Sequence, residues 1–147
     1  MAQRNPALAL WIDVSAELDA EEVSWFAIRQ PAVIKLLERE LWDGEGDAFA
    51  LGLDAACRVA ARVAALDGAP PPRLSSELLA RGHEMVRDEG VDRALARWVR
   101  WCVDAAPVVI DAAEERRIVE CVAAMLWAIA AADLVGAVHE MGETLLA

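Results

Sequence analysis

The sequence predicts an all-α fold, a single compact bundle of six or seven helices, and three observations carry that prediction. Alanine supplies 31 of the 147 residues, and alanine has the highest intrinsic helix propensity. Apolar residues recur at three- and four-residue spacing through most of the chain, the period of one buried helix face. Helix-starting and helix-stopping residues punctuate those stretches. The only run with strand character is Val108-Val109-Ile110, too short to seed a sheet.

Asn5 followed by Pro6 is an N-cap with proline at the first helical position. Leu8, Trp11, Ile12 and Leu18 then predict a helix over residues 6–18. Asp19 and Glu22 have capping-box spacing and open a second helix carrying Val23, Trp25, Phe26 and Ile28. Pro31 cannot donate to that helix, so a break falls there and a new helix runs through Leu36, Leu37, Leu41 and Trp42. Asp43-Gly44-Glu45-Gly46-Asp47 is the clearest internal turn, with Asp47 expected to cap a central, Ala-rich helix that runs through Phe49, Cys57 and Ala64 to Asp67-Gly68.

Residues 69–73, beginning Ala-Pro-Pro-Pro, form a stiff linker between two helical halves of one domain. Ser75 or Ser76 then starts a helix that ends near Gly90, and Asp92 caps another that reaches Ala106. Asp111 and Glu114 repeat the capping-box spacing ahead of a long apolar helix, expected to kink or restart near Asp133–Gly136. No internal repeat is present.

Composition excludes more than it identifies. Twenty-five acidic residues against fourteen basic ones give a net charge of −11. Nucleic-acid affinity rests on Lys and Arg neutralising phosphates, so no nucleic-acid partner is expected. The charge is uneven: residues 1–44 carry −4, residues 45–72 carry −2, residues 107–147 carry −5, and the Arg-rich middle is neutral. The most apolar stretch, residues 122–132, is closed by Asp133. It is shorter than the roughly 18 residues of a membrane span. The apolar run after Pro6 meets Asp13 too soon for a signal peptide. A cytoplasmic location and no membrane partner are expected. Cys57, Cys102 and Cys121 are odd in number, far apart and without CxxC spacing, which reads as reduced core thiols.

Reactive groups are few: four Ser, one Thr, two His, no Tyr, and no GxSxG, SxxK, GxxxxGK[ST] or GxGxxG pattern. The acids of residues 43–47 alternate like a calcium loop, but Ala48 and Asp54 occupy the places where an EF-hand needs Gly and Glu. His83-Glu84 and His139-Glu140 lack the second histidine of HExxH and the preceding glutamate of ExxH. No metal, no cofactor and no catalytic residue is therefore nominated, and both histidines are expected at the surface or half-buried. Trp98 and Trp101, interleaved with Arg97 and Arg100, predict an inward aromatic stripe with arginines snorkelling outward. A Trp–Arg binding patch is the alternative.

The leading functional reading is a non-catalytic acidic protein-binding module that masks a basic protein partner. An immunity protein or antitoxin is one concrete form. Its nominated contact residues are Asp13, Glu17, Glu21, Asp43, Glu45, Asp111, Glu114 and Glu115. Acids in first helical turns also complement the helix dipole, so a well-capped solvated surface is the plainer account of the same residues. Two other classes stand beside it. One is a self-associating structural or adaptor subunit, a homodimer. The other is an enzyme in which Glu84 or Glu140 works beside its histidine.

Overall fold

Pro31 has no N–H to donate, and two helices meet at it. A computed structural model describes the backbone of residues 20–146 and the side chains of residues 20–133. The expected helix over 6–18, its Asn5 cap and the Asp19 half of the first capping box lie outside those residues. Helix α1 (Ala20–Arg29) ends as the Gln30 N–H reaches the Phe26 carbonyl at 2.9 Å. Helix α2 (Pro31–Leu41) begins at once, with the Gln30 carbonyl accepting from the N–H groups of Val33 and Ile34. Proline at the first helical position forfeits only a bond that the helix end would leave unmade.

Helix α3 (Asp47–Asp67) follows the glycine turn, and its N-cap corrects the sequence expectation. The cap is Gly46, left-handed at φ 84°, and Asp47 is already inside the first turn. Asp43 shapes the loop instead, its Oδ1 accepting from the N–H groups of Glu45 at 3.0 Å and Gly46 at 3.2 Å. This is an Asx-type turn, in which a short carboxylate takes the place of a backbone acceptor.

Helix α4 (Ser76–Glu89) is capped by Ser75, whose hydroxyl accepts from Leu78 N–H at 3.1 Å. Helix α5 (Arg93–Ala105) is capped by Asp92, whose Oδ1 accepts from Ala94 and Leu95. The Asp111–Glu114 capping box forms in both directions. Glu114 N–H donates to Asp111 Oδ1 at 2.7 Å, and Asp111 N–H donates to Glu114 Oε1 at 3.1 Å. Such caps contribute about 1 kcal/mol each.

Helix α6 (Ala112–Leu146) runs 35 residues without the expected restart near Asp133–Gly136. A lone glycine costs a helix about 1 kcal/mol relative to alanine and does not remove a hydrogen bond, so Gly136 does not end it. No helix among the described residues is long and apolar enough to cross a membrane.

Helix α6 is the axis of the bundle: α2, α3, α4 and α5 all pack on it, and α4 does so most extensively. The core joins Leu37 of α2, Val59 of α3, Leu79 of α4 and Val99 of α5 to Ile118, Val122 and Met125 of α6. Burying an aliphatic side chain of this kind stabilises by roughly 1.5–3 kcal/mol. Small residues bring the helices close. A Cβ on Gly82 would lie 2.7 Å from the Ala124 carbonyl oxygen, so α4 touches α6 almost backbone to backbone. Helix α3 is central as expected, contacting α1, α2, α5 and α6 through a face that includes Ala48, Gly52, Ala55 and Ala56.

The aromatic stripe is half right. Trp98 is 4% exposed, whereas Trp101 is 42% exposed. The buried arc of α5 is Leu95, Trp98, Val99, Cys102 and Val103. Residue 101 falls one step outside that arc, so three-residue spacing alone does not carry both rings inward.

Candidate functional site

Three places combine polar or aromatic groups in ways that packing alone does not demand. The first is acidic. Asp43 lies in the loop before α3, and Asp111 and Glu114 lie at the start of α6, far away in sequence. The fold brings the Asp43 and Glu114 carboxyls near enough to share a hydrogen bond when one of them carries a proton. Backbone N–H bonds from Glu45 and Gly46 hold the Asp43 carboxyl below its ordinary range, and the Glu114 contact adds to this. Glu45 is exposed on the same loop.

Part of this acidity is used internally. Asp111 and Glu114 close their own helix end, and Glu115 accepts from Arg100 at 2.7 Å while Arg100 also pairs with Asp104 at 3.3 Å. Glu21 sits on α1, which packs on α2 and α3 and makes no close backbone approach to α6. Asp13 and Glu17 lie outside the described residues.

The second place centres on His83. It is 6% exposed, so the expectation of a surface or half-buried ring does not hold for it. Its Nδ1 lies 4.0 Å from Glu40 Oε1 of α2, and its Nε2 lies 3.9 Å from Glu120 Oε2 of α6. The carboxylates beside it are thus Glu40 and Glu120. Glu84, its sequence neighbour, points to solvent. A protonated ring would make an ion pair on each side and tie α4 to both neighbours. The two acids face opposite ring nitrogens, which suits charge neutralisation better than convergence on one substrate atom. His139 lies beyond the described side chains. Among the described residues, no three His, Cys, Asp or Glu groups gather so as to hold a metal ion.

The third place is a groove of about 380 Å³ between α1, α3 and the proline segment. Phe26, Ala60, Ala61 and Ala64 line it together with Pro70 and Pro71, while Glu22, Trp25 and Arg29 edge it. Arg29 stacks its guanidinium 5.5 Å from the Trp25 ring centre, a cation–π contact that holds the indole in place. Trp25 is nevertheless 53% exposed and Ile28, one helical turn on, 63%. The proline wall is held by Gln30, whose amide bonds the backbone at Pro72 and Leu74. Sequence reasoning missed this groove. Its one legible signal was the excess of apolar residues on α1, where Val23, Trp25, Phe26 and Ile28 cover more of the helix than one face needs.

No family model, curated protein or solved structure matches the chain.

Proposed function

We propose that the protein is a non-catalytic acidic module that binds and masks a basic protein partner in the cytoplasm. An immunity protein or antitoxin is one form such a module takes. The observation that supports this reading is the convergence of Asp43 with Glu114 and Asp111, like charges gathered from distant segments on a chain of net charge −11. Acids held together in this way gain from a cationic partner, because Arg and Lys make charge-assisted bonds to them. A field of one sign also raises association rates by roughly 10–1000-fold. Glu45 extends the surface. Glu115 contributes through a carboxylate that it already shares with Arg100.

The test is capture from the source cell's extract at about 0.05 M and about 0.5 M salt, where exposed charges are largely screened. Asp43→Asn and Glu45→Lys are compared with the parent chain. Asparagine keeps the oxygen that Glu45 and Gly46 bond, so it removes charge without removing the turn. The expected result is a basic polypeptide held at low salt, released at high salt and weakened by both substitutions. Recovery of nothing cationic, with the chain in a salt-resistant oligomer, would sink the proposal. That outcome favours the second reading, self-association as an adaptor or structural homodimer. The specific observation behind it is the exposure of Trp25 and Ile28 on α1.

A further inference from the structure

A neutral imidazole divides its two nitrogens into one donor and one acceptor, whereas an ionised carboxylate can only accept. At His83 both nitrogens face a carboxylate. Nδ1 lies 4.0 Å from Glu40 Oε1 of α2, and Nε2 lies 3.9 Å from Glu120 Oε2 of α6. Whichever tautomer the neutral ring adopts, one nitrogen turns a lone pair toward an anion. Only the doubly protonated ring donates on both sides. The site is complementary to the imidazolium and to neither neutral form.

Burial of the ring opposes its charge, and the charges around it decide the balance. Helix α4 packs on α2 and α6. From α2, Glu40 faces the ring and Arg39 reaches Glu40 at 3.3 Å, but the Arg39 side chain is 63% exposed against 20% for Glu40. From α6, Glu120 faces the ring from a mostly buried position, while Arg116 and Arg117 are exposed. Arg39 and Arg117 share this neighbourhood, because they act with Glu40 and Glu120 on the buried Cys121 thiol. That thiol, pushed up to about 12 by burial, keeps its proton near neutral pH and adds no charge. On α4 itself, Arg81, Glu84 and Arg87 are exposed. Solvent and salt screen the exposed arginines more than the two sheltered acids that meet the ring. The acids prevail.

His83 also stands at the joint between helices. Its neighbour Gly82 is where α4 approaches α6 so closely that a Cβ would lie 2.7 Å from the Ala124 carbonyl oxygen. Separations near 4 Å are too long for direct hydrogen bonds. Charge-assisted pairs close to about 2.7–2.9 Å. Glutamate side chains can swing that far while the helix backbones stay in place.

We propose that His83 is an acid-tightened clamp, which on taking up a proton draws in Glu40 and Glu120 and fastens α4 to α2 and α6 at once. When the proton leaves at higher pH, α4 is held by its packing. This inference is independent of the acidic surface at Asp43 and survives or fails separately from it.

Urea midpoints compare the full chain with His83→Gln at about pH 5.5 and about pH 8, spanning most of the range in which histidine changes charge. The expected advantage of the parent, read as the ratio of folded to unfolded chain, is about tenfold larger at the lower pH. It shrinks when the comparison is made in a Glu40→Gln or Glu120→Gln background. An equal advantage at both pH values, or a larger one at about pH 8, would overturn the clamp. A second measurement needs no change at position 83. In a His139→Gln chain His83 is the one histidine, and nitrogen-15 spectra of its ring at about pH 6.5 give the share that carries two ring protons. Glu40→Gln and Glu120→Gln are each expected to lower that share. If either leaves it unchanged, the two-sided clamp is wrong.

Discussion

The side-chain oxygen of Gln30 accepts a hydrogen bond from the buried N–H of Leu74 at 3.0 Å, across 44 residues of chain. Its nitrogen donates to the carbonyl of Pro72 at 2.8 Å. One amide thus ties the junction of α1 and α2 to the proline segment, which is why that segment is a fixed wall of the groove. Gln30 is itself 3% exposed, and a buried amide persists only where both of its ends are paired.

Gln30→Ala leaves the Leu74 N–H without a partner in the interior, a loss of about 1–3 kcal/mol, and the Pro72 bond adds to it. Gln30→Glu separates the two bonds. At neutral pH the carboxylate still accepts from Leu74 but repels the Pro72 carbonyl. As pH falls, the protonated acid regains a donor, and stability recovers relative to the parent chain. Urea midpoints at several pH values measure this, and a pH-independent difference between Gln30→Glu and the parent would contradict it.

Gly82→Ala destabilises although alanine is the better helix former. The added methyl meets the Ala124 carbonyl oxygen at 2.7 Å and the Trp127 ring at 3.0 Å, and backbone oxygen cannot rotate away. Overpacking of this kind costs about 1–3 kcal/mol. Gly52→Ala is the comparison: its methyl would press on the side chains of Leu41 and Leu37, which can change rotamer. The melting temperature is expected to fall further for Gly82→Ala than for Gly52→Ala, and the reverse order would contradict the close α4–α6 approach.

The local signals were legible because their causes are local. Pro31, Ser75, Asp92 and the Asp111–Glu114 pair act within one helical turn, and each marks a helix end where expected. The glycine turn misled at Asp47 because Asp43, three residues before the Gly46 cap, supplies the loop's acceptor. Trp101 misled because spacing gives the arc but not its edges. What could not be read are pairings across the fold. Glu40 and Glu120 reach His83 from helices 80 residues apart in sequence, and nothing in His83-Glu84 indicates them. The meeting of Asp43 with Glu114 is of the same kind: both acids were nominated, but their adjacency was not.

Trp98 is buried among α5 and core residues, and its indole Nε1 has no hydrogen-bond partner among the described residues. A buried donor left unpaired costs about 1–3 kcal/mol, so its removal offsets part of any loss of packing. Trp98→Phe is therefore expected to stay within about 1 kcal/mol of the parent, while Trp98→Ala, which leaves a cavity, loses about 3–5 kcal/mol. Equilibrium unfolding compares the three chains. A large loss in Trp98→Phe would indicate that the N–H is bonded in solution.

The three thiols give the protein an alkaline limit. Burial pushes Cys57 up to about 11, helped by Glu22 and Asp54, and pushes Cys102 and Cys121 up to about 12. In the unfolded chain the same groups ionise near 9.0. Below that value both states keep their protons and the thiols contribute nothing that depends on pH. Above it the unfolded chain releases protons that the native chain retains, so stability falls as pH rises from about 9 toward the native values. The loss approaches about 1 kcal/mol per thiol per pH unit. Replacing Cys121 by alanine should reduce that slope, because its proton no longer takes part, whatever the substitution does to stability near neutral pH. Urea midpoints measured between about pH 7 and 10.5 give the slope directly. At about pH 8 all three thiols should react with maleimide only as fast as the bundle opens, and rapid labelling of any of them in the native chain would contradict the buried placement.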